Sequence, residues 1–109
     1  MNVYDTANKL AQEIKNSEEY LNYKKAKENM ELSKKEKVFE FEKLRYNVQI
    51  NKFQDREENI SDVEKMKKMY MDLIQDEEIK KYFELELKFN VMLTDVNKII
   101  AESVEDVIK

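Results

Sequence analysis

The sequence predicts an all-α protein of about five helices, with long antiparallel amphipathic helices packing in a homodimeric bundle. Three observations carry this expectation. The 109 residues contain neither Gly nor Pro. Gly supplies positive φ and Pro presets turns, so a chain with neither makes few sharp reversals and favours long helices with short polar joints. Charged residues make up 40% of the chain and apolar residues 41%, the balance of helices with one apolar stripe and a broad solvated face. The apolar residues also recur at three- and four-residue spacing, the helical period. High charge marks disordered chains too. Here the net charge of only −4, the 10% aromatic content and the periodicity favour folding. At this length a single domain, residues 1–109, is expected.

Each element follows from its caps and its stripe. Asp5 can cap a first helix carrying Ala7, Leu10, Ala11 and Ile14. Asn16-Ser17 interrupts it, and Ser17 suits the N-cap of a second helix whose first turn holds Glu18 and Glu19. Tyr20, Tyr23, Lys27 and Met30 continue one face of that helix. Ser33-Lys34-Lys35-Glu36 fits a capping box, which starts a third helix near Lys34. Its stripe runs through Val38, Phe41, Leu44, Arg45, Val48 and Lys52, and it is expected to end near Glu58 with Asn59 as the stop. Ser61-Asp62-Val63-Glu64 is a second capping box, opening a fourth helix with Val63, Met66, Met69, Tyr70, Leu73 and Ile74. Asp76 can cap a fifth helix from Glu77 to Ile108.

That last helix motivates the dimer. Ile79, Tyr82, Phe89, Leu93, Val96, Ile100 and Val107 follow helical spacing, flanked by Phe83, Met92 and Ile99. The surface is wider than a two-stranded coiled-coil seam. At 1.5 Å per residue the helix would span about 48 Å, whereas a compact domain of this size is roughly 34 Å across. The overhanging apolar end needs a cover, and identical subunits pair most often as two-fold dimers. Ile79, Tyr82, Phe83, Phe89, Met92, Leu93, Val96, Ile99 and Ile100 are therefore the candidate oligomer interface.

Composition excludes much chemistry. The chain has no Cys and no His, so thiolate catalysis, disulfides and the usual metal and acid–base sites are ruled out. A Gly-rich phosphate loop is equally impossible. Neither catalytic residues nor a cofactor is expected. Carboxylates alone can hold Mg²⁺, as in all-helical nucleotide pyrophosphohydrolases, which pair E-x-x-E with a later E-x-x-D. Glu28-x-x-Glu31 and Glu102-x-x-Glu105 supply two halves, yet no Glu has Asp three residues later. Two solvated helix faces explain both pairs better.

Between Lys24 and Arg45 lie eight basic and five acidic residues. Lys24, Lys25, Lys27, Lys34, Lys35 and Lys37 form the candidate nucleic-acid patch, with Tyr20, Tyr23 and Tyr46 near enough in sequence to stack on bases. A salt-bridge-laced surface is favoured over that reading, because an acidic chain lacks the broad basic stripe that phosphate binding needs. Met66, Met69 and Met71 form a second cluster. Met66 and Met69 suit core filling, Met71 falls off their face, and Met is adaptable enough to serve a partner-binding surface. No signal-peptide pattern opens the chain and no apolar run approaches the length of a membrane helix, so a cytoplasmic protein without a membrane partner is expected.

Two stretches also resemble a known family. Val3 to Ala11 (VYDTANKLA), followed by Ile14 to Tyr20 and Tyr23-Lys24-Lys25-Ala26, is similar to the opening of the YlbF/YmcA/YheA family of small bacterial proteins. Tyr82-Phe83 and Phe89 to Ile100 resemble that family's final helix, while the middle matches only as amphipathic helix. The resemblance implies an all-helical fold that dimerises and a non-enzymatic regulatory role. Some members of the family join a complex that influences an endoribonuclease acting on messenger RNA, with effects on competence, biofilm formation and sporulation. Two of those members carry an iron–sulfur cluster through Cys. This chain has no Cys, so the cluster does not carry over, and the chain looks closer to the cysteine-free branch. The expected function is therefore a regulatory interaction protein, working as a homodimer that docks onto another cytosolic protein. The alternative is a nucleic-acid-binding helical protein using the Lys24–Arg45 patch.

Overall fold

Joints without glycine set the architecture of the computed structural model, which describes residues 2–53 and 60–108. Six helices appear among the described residues: α1 (Val3–Lys15), α2 (Glu18–Asn29), α3 (Leu32–Phe53), α4 (Ile60–Leu73), α5 (Glu77–Ser103) and α6 (Glu105–Ile108). The expected end of the third helix near Glu58 and its stop at Asn59 lie outside the described residues.

The α1–α2 joint shows how two helices are linked without glycine. Asn16 closes α1 at φ −97°, ψ −1°; its N–H donates to the Gln12 carbonyl, and the Ser17 N–H donates to the Ile14 carbonyl. The Ser17 hydroxyl then acts in both directions. It donates to the Ile14 carbonyl at 2.6 Å and accepts from the Tyr20 N–H at 3.2 Å. One side chain thus satisfies an orphan acceptor of α1 and an orphan donor of α2, as the sequence predicts for Ser17. Asp76 does the equivalent at α5, where its Oδ1 accepts from the N–H groups of Glu78 and Ile79 at 2.9 and 3.2 Å.

Three other expected caps move. Asn2, not Asp5, caps α1: its Oδ1 accepts from the Tyr4 N–H at 2.8 Å. Asn caps as well as Asp does, and starting the helix earlier leaves Asp5 in the first turn, where its charge still favours the positive end. At α3 the Glu31 carbonyl receives the Lys34 and Lys35 N–H groups. The Ser33 hydroxyl donates back to the Glu31 carboxylate at 3.3 Å rather than capping Glu36. Ser61 lies within α4 as described, one residue past its first position. The long final helix also breaks at Ser103, whose hydroxyl donates to the Ile100 carbonyl at 2.6 Å. A serine bonding back to its own helix competes with the backbone ladder. The unbroken run is therefore Glu77–Ser103, about 40 Å at the standard rise.

The helices sort into two compact units, residues 1–28 with 82–109, and residues 29–81. In the second unit α3 and α4 run antiparallel. Phe41 stacks on Tyr70 with ring centroids 5.9 Å apart, and Lys34 reaches Asp76 beyond the end of α4, so positions rising along one partner meet positions falling along the other. Met30, Val38, Phe41, Leu73 and Ile79 are its buried apolar residues. In the first unit α2 meets α5 antiparallel by the same logic: Tyr20 pairs with Phe89, while Tyr23 lies against Tyr82 and Glu86.

Candidate interaction surfaces

The first unit is organised by a ring cluster with a carboxylate in it. Tyr23 lies 5.4 Å from Tyr82 and 5.5 Å from Phe89 between ring centroids. Its hydroxyl donates to Glu86 Oε2 at 3.2 Å and sits 3.4 Å from the Tyr82 hydroxyl. Tyr82 is completely buried and Glu86 nearly so. A buried carboxylate is tolerated when it is hydrogen-bonded. The four-residue step from Tyr82 to Glu86 places both on one face of α5, opposite the α2 tyrosine that serves them.

Beyond that cluster the apolar stripe of α5 changes environment. The chain itself buries Ile79, Tyr82 and Phe83, and half-buries Phe89, Met92, Leu93 and Val96. Ile99 and Ile100 are 68% and 54% exposed, and Val107 of α6 is 83% exposed. Of the nine predicted interface residues, the two at the C-terminal end are therefore open to solvent, and the three at the N-terminal end are core. α1 adds to the open apolar surface: Val3 and Tyr4 are exposed, and Leu10 and Ile14 are only half-buried.

The basic patch divides between the units. Lys24, Lys25 and Lys27 belong to α2 in the first, and Lys34, Lys35 and Lys37 to α3 in the second. Lys34 is committed to an ion-pair group, with its Nζ 3.0 Å from Asp76 Oδ2 and 3.3 Å from Glu78 Oε1. The hydrogen bond from Lys34 holds the Asp76 carboxyl below the ordinary aspartate value, helped by the Ile79 N–H. The hydrogen bond to Asp76 raises Lys34 in turn, against an opposing loss of hydration. Lys24 pairs with Glu28 one turn on, at 3.9 Å. Tyr23, a candidate for base stacking, is taken up in the ring cluster.

The acidic pairs are dispersed. Glu28 is in the first unit and Glu31 in the second. Glu28 faces Lys24, and Glu102 lies 3.9 Å from Lys98. Among the described residues no group of three or more carboxylates is placed to hold a metal ion. No described helix is long and apolar enough to cross a membrane.

One surface is not evident from the sequence pattern. Between α3 and α4 runs a groove of about 430 Å³ lined by Phe41, Arg45, Met66, Lys67, Tyr70 and Met71. Phe41 is buried beneath it and Met71 is 59% exposed. The Arg45 guanidinium lies 5.4 Å over the Phe41 ring and 3.6 Å from Glu42. The available signal is the four-residue spacing Phe41–Arg45, Met66–Tyr70 and Lys67–Met71, which sets each pair on one helix face. The lateral position of Met71, outside the core stripe, is what makes it part of the groove wall.

These features define a class: an all-α protein whose helices leave apolar faces open. The chain belongs to the YlbF/YmcA family. The family model described as "Control of competence regulator ComK, YlbF/YmcA" matches residues 3–105. A UPF0342 protein of Caldicellulosiruptor saccharolyticus is 35% identical over 106 residues, covering 95% of this chain and 88% of its own length. UPF0342 proteins of Halothermothrix orenii and Clostridium novyi are 34% and 33% identical, covering 96% and 97% of this chain and 91% and 95% of their own. No solved structure matches the chain. The resemblance noted in the opening and final helices is thus a family relationship across nearly the whole length, and the family is one of bacterial regulators.

Proposed function

We propose that this protein is a non-enzymatic cytoplasmic regulator that acts by homodimerisation and by docking onto a partner protein. The single observation that carries the reading is the open apolar surface at the C-terminal end of α5, where Ile99 and Ile100 remain in water although the same stripe is core at Ile79 and Tyr82. Apolar faces left open in a small chain mark interaction sites. A second copy of the chain is the economical cover, because a two-fold axis makes one patch complementary to itself. The family is named for control of competence, and the messenger-RNA processing, biofilm and sporulation links belong to the cysteine-containing relatives that the chain resembles.

Sedimentation at micromolar concentration tests the assembly. A dimer is expected, and a stable folded monomer overturns it. Nucleic-acid binding gains no support from the geometry, since Lys34 is bound to Asp76 and Glu78 and the remaining lysines divide between two helices.

A further inference from the structure

One polar residue interrupts the stripe by which α5 meets α2. From Tyr82 the stripe steps alternately by four and three residues through Glu86, Phe89, Leu93, Val96 and Ile100, the period of a seam that a second helix follows. Every position in it is apolar or aromatic except Glu86. That side chain is nevertheless buried, with the completely buried Tyr82 one turn before it and the half-buried Phe89 one turn after.

An apolar stripe does not by itself fix where its neighbour sits, because hydrophobic contact is non-directional. Tyr20 and Tyr23 meet Tyr82 and Phe89 through ring contacts between 5.4 and 5.9 Å. The contact with Glu86 is directional: the Tyr23 hydroxyl donates to its Oε2 at 3.2 Å. Three residues rising along α2 from Tyr20 to Tyr23 match three falling along α5 from Phe89 to Glu86. Sliding α2 by one turn in one direction carries Ala26 to Glu86, which offers no donor, or draws the exposed Lys27 out of water. Sliding it in the other direction leaves Glu86 to Tyr20 and carries Tyr23 to the level of Phe83, away from its acceptor. Each alternative separates a buried polar pair or buries a charge, and both are costly.

We propose that Glu86 sets the register of the α2–α5 pair: with Tyr23 it selects one alignment of α2 along the stripe. A buried polar pair adds little stability over an apolar pair of similar shape, so the two residues supply alignment rather than strength. A single polar residue in an apolar helix seam fixes register in this way. In the selected alignment Tyr20, in the first turn of α2, lies at Phe89. α2 therefore stops short of Ile100, and the open end of the stripe begins beyond it.

The test uses the full chain and the variant Tyr23→Phe/Glu86→Leu, which removes both polar groups together. The chain has no Cys, so spin labels at Asn22→Cys on α2 and Asn97→Cys on α5, both exposed positions, report one distance. Labelled chains are diluted into unlabelled ones, which keeps the distance within one chain whether or not the protein dimerises. The parent should give one narrow distance. The apolar variant should melt no lower than the parent, yet give a broadened distribution or a second peak from a slide of one turn, about 5.4 Å along the axis. Glu86→Gln keeps an acceptor for the Tyr23 hydroxyl and should keep the single distance. A narrow, parent-like distance in the apolar variant overturns the proposal. So does a melting temperature well below the parent's, which would make the pair a source of strength instead of alignment, and so does a Glu86→Gln distribution as broad as the apolar variant's. A monomeric parent whose single distance splits in the apolar variant supports the register role while refuting the dimer.

Discussion

Removing one hydroxyl tests the ring cluster that joins α2 to α5. Tyr23→Phe keeps the ring that packs 5.4 Å from Tyr82 and 5.5 Å from Phe89, and deletes only the donor to Glu86. A hydrogen bond to a charged acceptor contributes about 1.5–3 kcal/mol. The 3.2 Å separation here is longer than the usual O–H···O range of about 2.5–3.0 Å, which puts this bond at the low end. The Tyr82 hydroxyl remains close to the vacated position, 3.4 Å from where the Tyr23 hydroxyl sits, and softens the loss further. The expected cost is therefore about 1.5 kcal/mol, or a melting temperature lower by about 6 °C for a chain of this size. Tyr20→Phe is the control. Its ring packs 5.9 Å from Phe89, its hydroxyl makes no bond among the described residues, and the change should fall within about 0.5 kcal/mol of the parent. Denaturant unfolding at one fixed protein concentration reads both, since association makes stability concentration-dependent. A cycle with Glu86→Gln should show a coupling of about 1 kcal/mol. If Tyr23→Phe matches Tyr20→Phe, or if the coupling vanishes, the hydroxyl–carboxylate bond does not stabilise the unit.

Three further outcomes follow from the same geometry. Asp76 titrates below its ordinary value, so its contribution is present above the ordinary aspartate range and is lost as pH falls through the lowered one. Lys34 titrates above its ordinary value, so its contribution is lost only as pH rises beyond the usual lysine range. Melting temperature against pH should drop at both extremes, and Asp76→Asn should flatten the acid limb. Leu93→Asp should cost several kcal/mol by placing an uncompensated charge in a half-buried stripe, whereas Ile100→Asp should leave the single chain folded and shift sedimentation toward monomer; unchanged association in the second variant refutes the interface. RNA passed over the immobilised protein should not be retained even at low salt, where phosphate contacts are strongest; retention that weakens steeply with added salt would revive the lysine patch.

Which parts were legible in the sequence follows from the range of the interactions that decide them. Ser17 and Asp76 announce themselves because a cap is a bond over two or three residues, all of whose partners are adjacent in the chain. The same locality explains the misplaced caps. Asn2 competes with Asp5, and Glu31 with Ser33, within one turn, and small differences in where the first turn closes choose between them. The sequence pattern runs the last helix on to Ile108, and the hydrogen bond that ends α5 at Ser103 is not stated by it.

By itself, then, the sequence determined that this protein is helical, where α2 and α5 start, which chemistries its missing Cys, His and Gly forbid, and which family its two ends resemble. Only the tertiary structure decided which apolar residues are core. Ile79 and Ile100 lie on one helix with the same side chain, yet one is 2% exposed and the other 54%. Tyr23 and Glu86 are 63 residues apart in sequence, and no local pattern states that they meet. Burial and groove formation depend on which helix faces another across long separations. Periodicity says that a face is apolar, and packing says what, if anything, covers it.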